Sequence, residues 1–240
     1  MKKIVALNLK MNLDYEEALN YVKTIKNKIS DSHEVILFPS TIYLDLFKST
    51  NYLLGIQNVY NINKGSYTGE ISPLQAKTFG IKYALIGHSE RRIHFKEDDI
   101  LINQKVIASL SNNLKVILCI GETKEERTLK KTAVVLKKQL LANLKDVDQD
   151  LLKDVIIAYE PVWSIGTGKT LNQDDINDAI KYIKKVINEK FDFNPIVLYG
   201  GSVNKDNIKD IINMQEVNGV LVGSASLDPN YMLSMLDIIE

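Results

Sequence analysis

The chain has 240 residues, 45% of them hydrophobic and 25% charged, a composition that is ordinary for a globular protein and too polar for a membrane protein. Thirty basic residues balance thirty acidic ones, so the net charge of zero favours neither nucleic acid nor an anionic membrane, and any anion site has to be local. No apolar run approaches the roughly 20 residues that span a bilayer, and the run after the N-terminal lysines is too short for a signal peptide.

Eight short apolar runs alternate with longer amphipathic stretches. The predicted strands are residues 4–9, 35–38, 53–57, 83–86, 115–120, 155–159, 196–199 and 219–222. Most of these runs are apolar throughout, which is typical of parallel strands covered on both faces. Eight units of about 30 residues predict one α/β domain over residues 1–240, a (β/α)8 TIM barrel. Alternation alone leaves a doubly wound open sheet as the alternative.

Apolar residues at helical spacing predict helices in most of the gaps. Asp14 is the expected N-cap of the first helix, and Asn172 caps a later one with Asp174 and Asp175 in its first turn. Three buried stripes are predicted: Ala18, Val22, Ile25 and Ile29; Leu129, Ala133, Leu136, Leu140 and Leu144; and Ile176, Ile180, Ile183 and Ile187.

Polar residues and glycines collect where the predicted strands end, and a barrel carries its chemistry at those ends. They are Asn8 and Lys10 after the first strand, His88, Ser89 and Glu90 after the fourth, Glu160 after the sixth, Gly200, Gly201 and Ser202 after the seventh, and Gly223 and Ser224 after the eighth. Glu160, His88 and Lys10 together supply a base, an electrophile and a cation, as proton abstraction beside a carbonyl requires. The glycines indicate a phosphate site, because they let backbone N–H groups approach an anion closely.

Each of these residues also has a structural interpretation. His88 could serve as a helix cap, and Glu160 could form an ion pair with Lys10. Cys119 lies inside an apolar run, which favours a buried structural thiol over a nucleophile, and a single cysteine without an intrachain disulfide fits a reducing cytoplasm.

Residues 158–170, A-Y-E-P-V-W-S-I-G-T-G-K-T, place a carboxylate at the end of a buried strand. The loop that follows is rigid at its start and consists of small residues at its tip. The pattern indicates a base beneath a lid. A nucleotide P-loop would need glycine where Trp163 stands, and the Rossmann glycine pattern is incomplete. The histidines have no metal-ligand spacing, and His33 and His94 are expected at the surface.

Five motifs in order, spread over the whole chain, resemble the triosephosphate isomerase family. They are N-L-K-M-N at 8–12, G-S-Y-T-G-E-I-S at 65–72, I-G-H-S-E-R-R at 86–92, the sequence at 158–170, and Y-G-G-S-V at 199–203 with V-G-S-A-S-L at 222–227. The resemblance implies a cofactor-free and metal-free aldose–ketose isomerase that interconverts dihydroxyacetone phosphate and glyceraldehyde 3-phosphate.

The resemblance also implies a role for each site residue. Glu160 is the base, His88 serves the two substrate oxygens, Lys10 offsets negative charge, Asn8 donates a hydrogen bond, and Glu90 supports Lys10. The phosphate is held by N–H groups of Gly166, Ser202, Gly223 and Ser224. The lid is Pro161, Val162, Trp163, Ser164, Ile165, Gly166, Thr167, Gly168, Lys169, Thr170 and Leu171. Tyr199 and Ser202 bond the closed lid, and Ile165 and Leu221 crowd the base.

A homodimer in the cytoplasm is implied as well. Residues 58–72 match the loop that enters the partner subunit, where Thr68 approaches the partner's Asn8 and Glu90. Three positions depart from the family pattern: Leu9 replaces tryptophan, Ser224 replaces glycine and Asn218 replaces aspartate. Neither nucleic acid nor a membrane is an expected partner.

Two other functions stay open at this point. One is a different phosphate-binding barrel enzyme, such as a sugar-phosphate epimerase or lyase, against which the lid sequence argues. The other is a non-catalytic binding or scaffold protein, against which the intact set of Lys10, His88 and Glu160 argues.

Overall fold

A computed structural model describes residues 2–49, 51–165 and 171–240. Eight parallel strands pair in sequence order and close into a barrel through pairing of the last with the first. The strands are β1 Ile4–Asn8, β2 Glu34–Phe38, β3 Leu53–Ile56, β4 Tyr83–Ile86, β5 Lys115–Ile120, β6 Val155–Tyr159, β7 Ile196–Tyr199 and β8 Gly219–Val222. The closure confirms the predicted (β/α)8 barrel and excludes the open sheet.

α-Helices lie in the connections between the strands, except between β2 and β3, where the described residues form a short 3-10 helix, Thr41–Tyr43. They are α1 Tyr15–Ile25, α2 Pro73–Phe79, α3 Ser89–His94, α4 Asp99–Ser111, α5 Lys124–Thr128, α6 Thr132–Asn143, α7 Gln173–Phe191, α8 Ile208–Asn213 and α9 Pro229–Ile239. The predicted caps are confirmed: Asp14 forms a reciprocal capping box with Glu17, and the Asn172 side chain accepts a hydrogen bond of 2.7 Å from Asp175 N–H. Among the described residues, no helix has both the length and the apolar character needed to cross a membrane.

The predicted stripe from Leu129 to Leu144 is wrong at its start. Helix α6 begins only at Thr132, and Lys130 before it has a φ of 55°, which breaks the helical spacing. Leu129 is therefore 54% exposed, and Ala133 also faces solvent. Leu136 and Leu140 carry the buried face of α6, whereas the stripe on α7 is confirmed along its whole length.

Side chains alternate between two apolar layers along each strand. In β1, Ile4 and Ala6 point into the barrel, while Val5 and Leu7 pack against the helices. Cys119 belongs to the inner layer and is fully buried, as predicted for a structural thiol. Burial, together with the neighbouring Glu160, raises the pKa of this thiol well above its usual value, which keeps it protonated and unreactive.

Two glycines let the strands approach closely at opposite ends of the barrel. A Cβ at Gly219 would lie 2.1 Å from the backbone oxygen of Ile4, where β8 closes onto β1. A Cβ at Gly121 would lie 1.7 Å from the backbone oxygen of Glu160. The close contact between Gly121 and the Glu160 backbone fixes where the chain lies just after β6. This contact also positions the Glu160 side chain.

Candidate active site

One cavity of about 180 Å³ opens at the carboxyl ends of the strands. The sequence-predicted residues that line it are Asn8, Lys10, His88, Glu160, Ile165, Ser202, Leu221, Gly223 and Ser224. Glu90 lies beside this cavity, where it contacts both Lys10 and His88. Thr68 is exposed in the 58–72 segment, and Gly166, with the rest of 166–170, lies outside the described residues.

Glu160 is buried and held by two groups from the start of α3. One carboxylate oxygen lies 3.1 Å from His88 Nε2, and the other accepts a hydrogen bond of 3.2 Å from the backbone N–H of Ser89. Glycine is required at position 200, because a Cβ there would lie 2.9 Å from the Cγ of Glu160. The carboxylate therefore occupies a place defined by three neighbouring loops.

Glu160 and His88 each stabilise the charged form of the other. Burial raises the pKa of Glu160, but His88, the Ser89 N–H and Lys10 outweigh it, so that the pKa lies below its usual value. Burial lowers the pKa of His88, but the carboxylates of Glu160 and Glu90 outweigh it, so that the pKa lies above its usual value. The substrate-free site thus holds its base ionised.

The tautomer of neutral His88 follows from its position as the N-cap of α3. Its Nδ1 accepts a hydrogen bond of 3.3 Å from the backbone N–H of Glu90. We therefore assign the single proton of the neutral ring to Nε2, which faces Glu160 and the cavity. The predicted capping role of His88 is confirmed, and it is the feature that aims Nε2 into the site.

Lys10 has a φ of 53°, an uncommon conformation for a residue with a Cβ. Its backbone N–H donates to Asn8 Oδ1 at 3.0 Å. Its carbonyl accepts hydrogen bonds from Gln57 Nε2 at 2.8 Å and from Ser40 Oγ at 3.0 Å. Its Nζ lies 2.6 Å from Glu90, so the alternative ion pair between Lys10 and Glu160 is not formed.

Gln57 and Ser40 were missed by the sequence analysis. Each lies just beyond the end of a strand, β3 for Gln57 and β2 for Ser40, so the rule that selected the other residues could have found them. Gln57 also donates to the carbonyl of Phe38 at 2.9 Å, which ties the end of β2 to the conformation of Lys10.

Glu122 is a second residue that the sequence analysis missed. Its carboxylate is fully buried and accepts hydrogen bonds from Trp163 Nε1 at 3.3 Å and from the Tyr159 hydroxyl at 3.1 Å and 3.2 Å. Arg127 contacts the same carboxylate at 3.5 Å and pairs with Asp175 of α7 at 2.7 Å. The start of the predicted lid is thereby attached to a buried anion.

The predicted contacts between the lid and the end of β7 are present in part. Ser202 donates its N–H to Ser164 Oγ at 3.2 Å and its hydroxyl to the Ser164 carbonyl at 2.5 Å. The Tyr199 hydroxyl makes no hydrogen bond of good geometry with a described residue. Burial raises its pKa, although Ser164 and Leu171 are near enough to oppose that rise.

The three departures from the family pattern leave the site's chemical groups in place. Leu9 is buried in the layer between barrel and helices. The Oδ1 of Asn218 accepts a hydrogen bond of 2.9 Å from the N–H of Val197. The neutral amide therefore joins the residue before β8 to the start of β7. Ser224 is exposed at the rim of the cavity. Among the described residues, no group of histidine, cysteine and acidic side chains could hold a metal ion.

The arrangement can move a proton on a small anionic substrate. It offers an ionised carboxylate, an imidazole N–H and an ammonium group around one cavity, and two of the three are withdrawn from water. Fixed charges and dipoles in such a setting act more strongly than in water.

Comparison with known proteins agrees with this geometry. Residues 3–239 match the family model described as triosephosphate isomerase. Proteins named triosephosphate isomerase from Alkaliphilus oremlandii and Mesomycoplasma hyorhinis are 40% and 39% identical, over 98% and 99% of this chain and 99% and 98% of their own lengths. One from Caldanaerobacter subterraneus subsp. tengcongensis is 42% identical over 94% of this chain and 95% of its own length. The chain therefore belongs to the triosephosphate isomerase family.

Proposed function

We propose that this protein is a triosephosphate isomerase, a single catalytic domain over residues 1–240 that interconverts dihydroxyacetone phosphate and D-glyceraldehyde 3-phosphate. The reaction serves glycolysis and gluconeogenesis and uses neither cofactor nor metal. The observation that supports this proposal best is the buried pair of Glu160 and His88, 3.1 Å apart beside Lys10.

Glu160 takes the proton from one carbon of the substrate and returns it to the neighbouring carbon. A substrate entering the cavity separates Glu160 from His88, which removes the strongest influence that lowers the pKa of the carboxylate. Burial raises this pKa, and fewer neighbouring groups then lower it. Ile165 and Leu221 add apolar surface on the cavity side. A carboxylate that is ionised at rest thus becomes a stronger base once the substrate is bound.

His88 donates its Nε2 proton to the carbonyl oxygen of the substrate as the enediolate forms, and Nε2 recovers a proton from the neighbouring hydroxyl as that oxygen becomes the new carbonyl. With a neutral carbonyl in place of the Glu160 carboxylate, burial and the Glu90 N–H at Nδ1 both favour the uncharged ring. A neutral imidazole as electrophile is an established feature of triosephosphate isomerases.

Lys10 and Asn8 bind the substrate beside the reacting carbons, and Glu90 holds the Lys10 ammonium in place. The N–H groups of Gly166, Ser202, Gly223 and Ser224 bind the phosphate. Because the N–H of Ser202 donates to Ser164 Oγ, phosphate and the start of the lid compete for the same donor. Closure of residues 161–171 excludes water and protects the intermediate.

We also assign the protein to a homodimer in the cytoplasm. A cavity of about 680 Å³ adjoins the active site and is lined by Lys10, His88 and Glu90. Met11 and Phe95 are 93% and 65% exposed and line this same cavity, and exposed apolar side chains that group together are typical of an interface. Residues 58–72 of a second subunit would cover them, with Thr68 near the partner's Asn8 and Glu90.

A sugar-phosphate epimerase or lyase would use a similar phosphate site, and a scaffold protein would use none of the buried charges. Coupled assays with each triose phosphate and with pentose phosphates distinguish all three functions. Isomerisation in both directions supports the proposal, and turnover of pentose phosphates alone would contradict it.

Glu160→Asp is expected to leave the fold and phosphate binding intact and to lower kcat by roughly 10²-fold, because the carboxylate retreats by one methylene from the carbon it must reach. Steady-state kinetics and circular dichroism check this outcome. A kcat close to that of the wild type would show that Glu160 is not the base.

His88→Gln is expected to raise the pKa of Glu160, because the burial of the carboxylate remains while its strongest opposing neighbour is lost. Infrared difference spectra recorded against pH report the carboxyl band, and the double variant His88→Gln/Glu160→Gln assigns that band to Glu160. An unchanged titration would disprove the coupling.

The same variant predicts a pH window for stability. The lowered pKa of Glu160 stabilises the fold above its usual 4.5, and the raised pKa of His88 stabilises it below its usual 6.5. The loss of unfolding free energy in His88→Gln is therefore largest between these values. It declines as the pH falls through the lowered pKa of Glu160 or rises through the raised pKa of His88.

Gln57→Leu is expected to lower kcat/KM by about tenfold, mostly through KM, because the Lys10 carbonyl loses a donor that holds its unusual conformation. Asn103→Leu is a matched control, since that amide also bridges two carbonyls, those of Asn143 and Lys145, away from the site. Equal losses of activity in the two variants would mean that Gln57 acts only on stability.

Thr68→Glu is expected to weaken the dimer, because it brings a carboxylate towards the partner's Glu90. Sedimentation velocity over a range of concentrations measures the change, and Ser111→Glu, at the exposed end of α4, is the control. An unchanged dimer in Thr68→Glu would rule out the assigned interface.

A further inference from the structure

The segment from Arg127 to Lys145 holds six basic residues and no acidic one, although the chain as a whole is neutral. The basic residues are Arg127, Lys130, Lys131, Lys137, Lys138 and Lys145. We use the term lysine surface for its outward part: Leu129, Lys130, Lys131, Val134, Lys137 and Lys138.

The lysine surface lies on one side of α6 and the turn before it. Leu136 and Leu140 of this helix are fully buried against the barrel. At about 100° per residue, Val134 and Lys138 fall on the opposite side of the helix and Lys137 lies on its flank, and all three are exposed. Val134 is 68% exposed and Leu129 is 54% exposed, so two large apolar side chains stand among the ammonium groups.

Among the described residues, the side chains of these lysines make no ion pair and no helix cap. Within the part of the chain that the structure describes, none of the four lysines of the surface forms an ion pair, whereas Arg127 beside them is paired with Asp175. Lys131 is the N-cap residue of α6 and makes no capping hydrogen bond with its side chain. A cation at a helix N-terminus also opposes the helix dipole.

The chemistry of the lysine surface matches an anionic lipid surface. Lysine stems extend over apolar material and keep the ammonium group at the level of the headgroups. Exposed aliphatic side chains enter the boundary between headgroups and acyl chains, as they do in interfacial helices. A single strand of RNA fits less well, because the lysine surface has no aromatic side chain on which bases could stack.

We propose that the lysine surface binds membranes that contain anionic phospholipids. The surface belongs to the connection after β5 on the outside of the barrel, and no residue of it lines the active-site cavity. It also shares no residue with the cavity assigned to the dimer. Binding is therefore compatible with an active dimer and does not depend on the proposed isomerase activity.

Co-sedimentation of the full chain with vesicles tests the proposal. Vesicles of phosphatidylcholine with phosphatidylglycerol are expected to bind the protein at low salt and to release it as the salt concentration rises. Equal binding to pure phosphatidylcholine, or no binding to either vesicle, would overturn the proposal.

Variants locate the binding surface. Each lysine near an anionic bilayer contributes about fivefold to affinity, so Lys137→Gln/Lys138→Gln is expected to bind roughly 25-fold more weakly. Lys26→Gln/Lys28→Gln is the matched control, since these exposed lysines lie outside the surface. An equal loss in the control pair would leave the lysine surface without a specific role.

Two further variants separate lipid from other polyanions and from a folding defect. Val134→Ser keeps every charge but is expected to weaken vesicle binding, and an unchanged affinity together with tight binding of single-stranded RNA would identify nucleic acid as the occupant instead. Lys131→Ser removes a cation from the N-terminus of α6, where it opposes the helix dipole, so it is expected to raise Tm while lowering vesicle affinity. A lower Tm would contradict our view that this lysine does not serve the fold.

Discussion

The burial of Glu160 against His88 is the constraint on which the rest of the site depends. Burial alone raises the pKa of a carboxylate in this place and disfavours its charged form. The imidazole at 3.1 Å and the N–H of Ser89 reverse that effect. Both come from the start of α3, so the position of one short helix lowers the pKa of this carboxylate. In the proposed mechanism, the same imidazole acts as the acid.

The backbone conformation of Lys10 also depends on groups from neighbouring strands. A residue with a positive φ needs surrounding structure to hold it, and here the holding groups come from the ends of β2 and β3. Glu90 fixes the ammonium group from the end of β4. The cation is thus positioned by three strand ends in addition to its own. A closed barrel provides these neighbours because it brings all eight ends to one rim.

Much of this could be predicted from the sequence, and the limits have physical causes. Apolar runs bounded by polar residues located the strands, and chemistry at strand ends selected Lys10, His88 and Glu160. The pattern could not say whether Glu160 would pair with Lys10 or with His88, because that depends on side-chain directions across the barrel. Gln57 was counted within the predicted strand 53–57, and Glu122 lies two residues beyond β5, so both positions follow strand ends. The sequence could not show that their side chains bind neighbouring strand ends, because those contacts form only in the closed barrel. Leu129 was misplaced because Lys130 interrupts a helix without proline or glycine.

Glu122 has a consequence for the two ends of the predicted lid. Trp163 near its start bonds this carboxylate, and Arg127 connects the same carboxylate to Asp175, shortly after its end. Trp163 and Asp175 therefore share one anchor, made of side chains that lie outside the predicted lid. The cost of closing a loop depends on the length of chain between its fixed points, and this anchor limits that length to the stretch between Trp163 and Asp175.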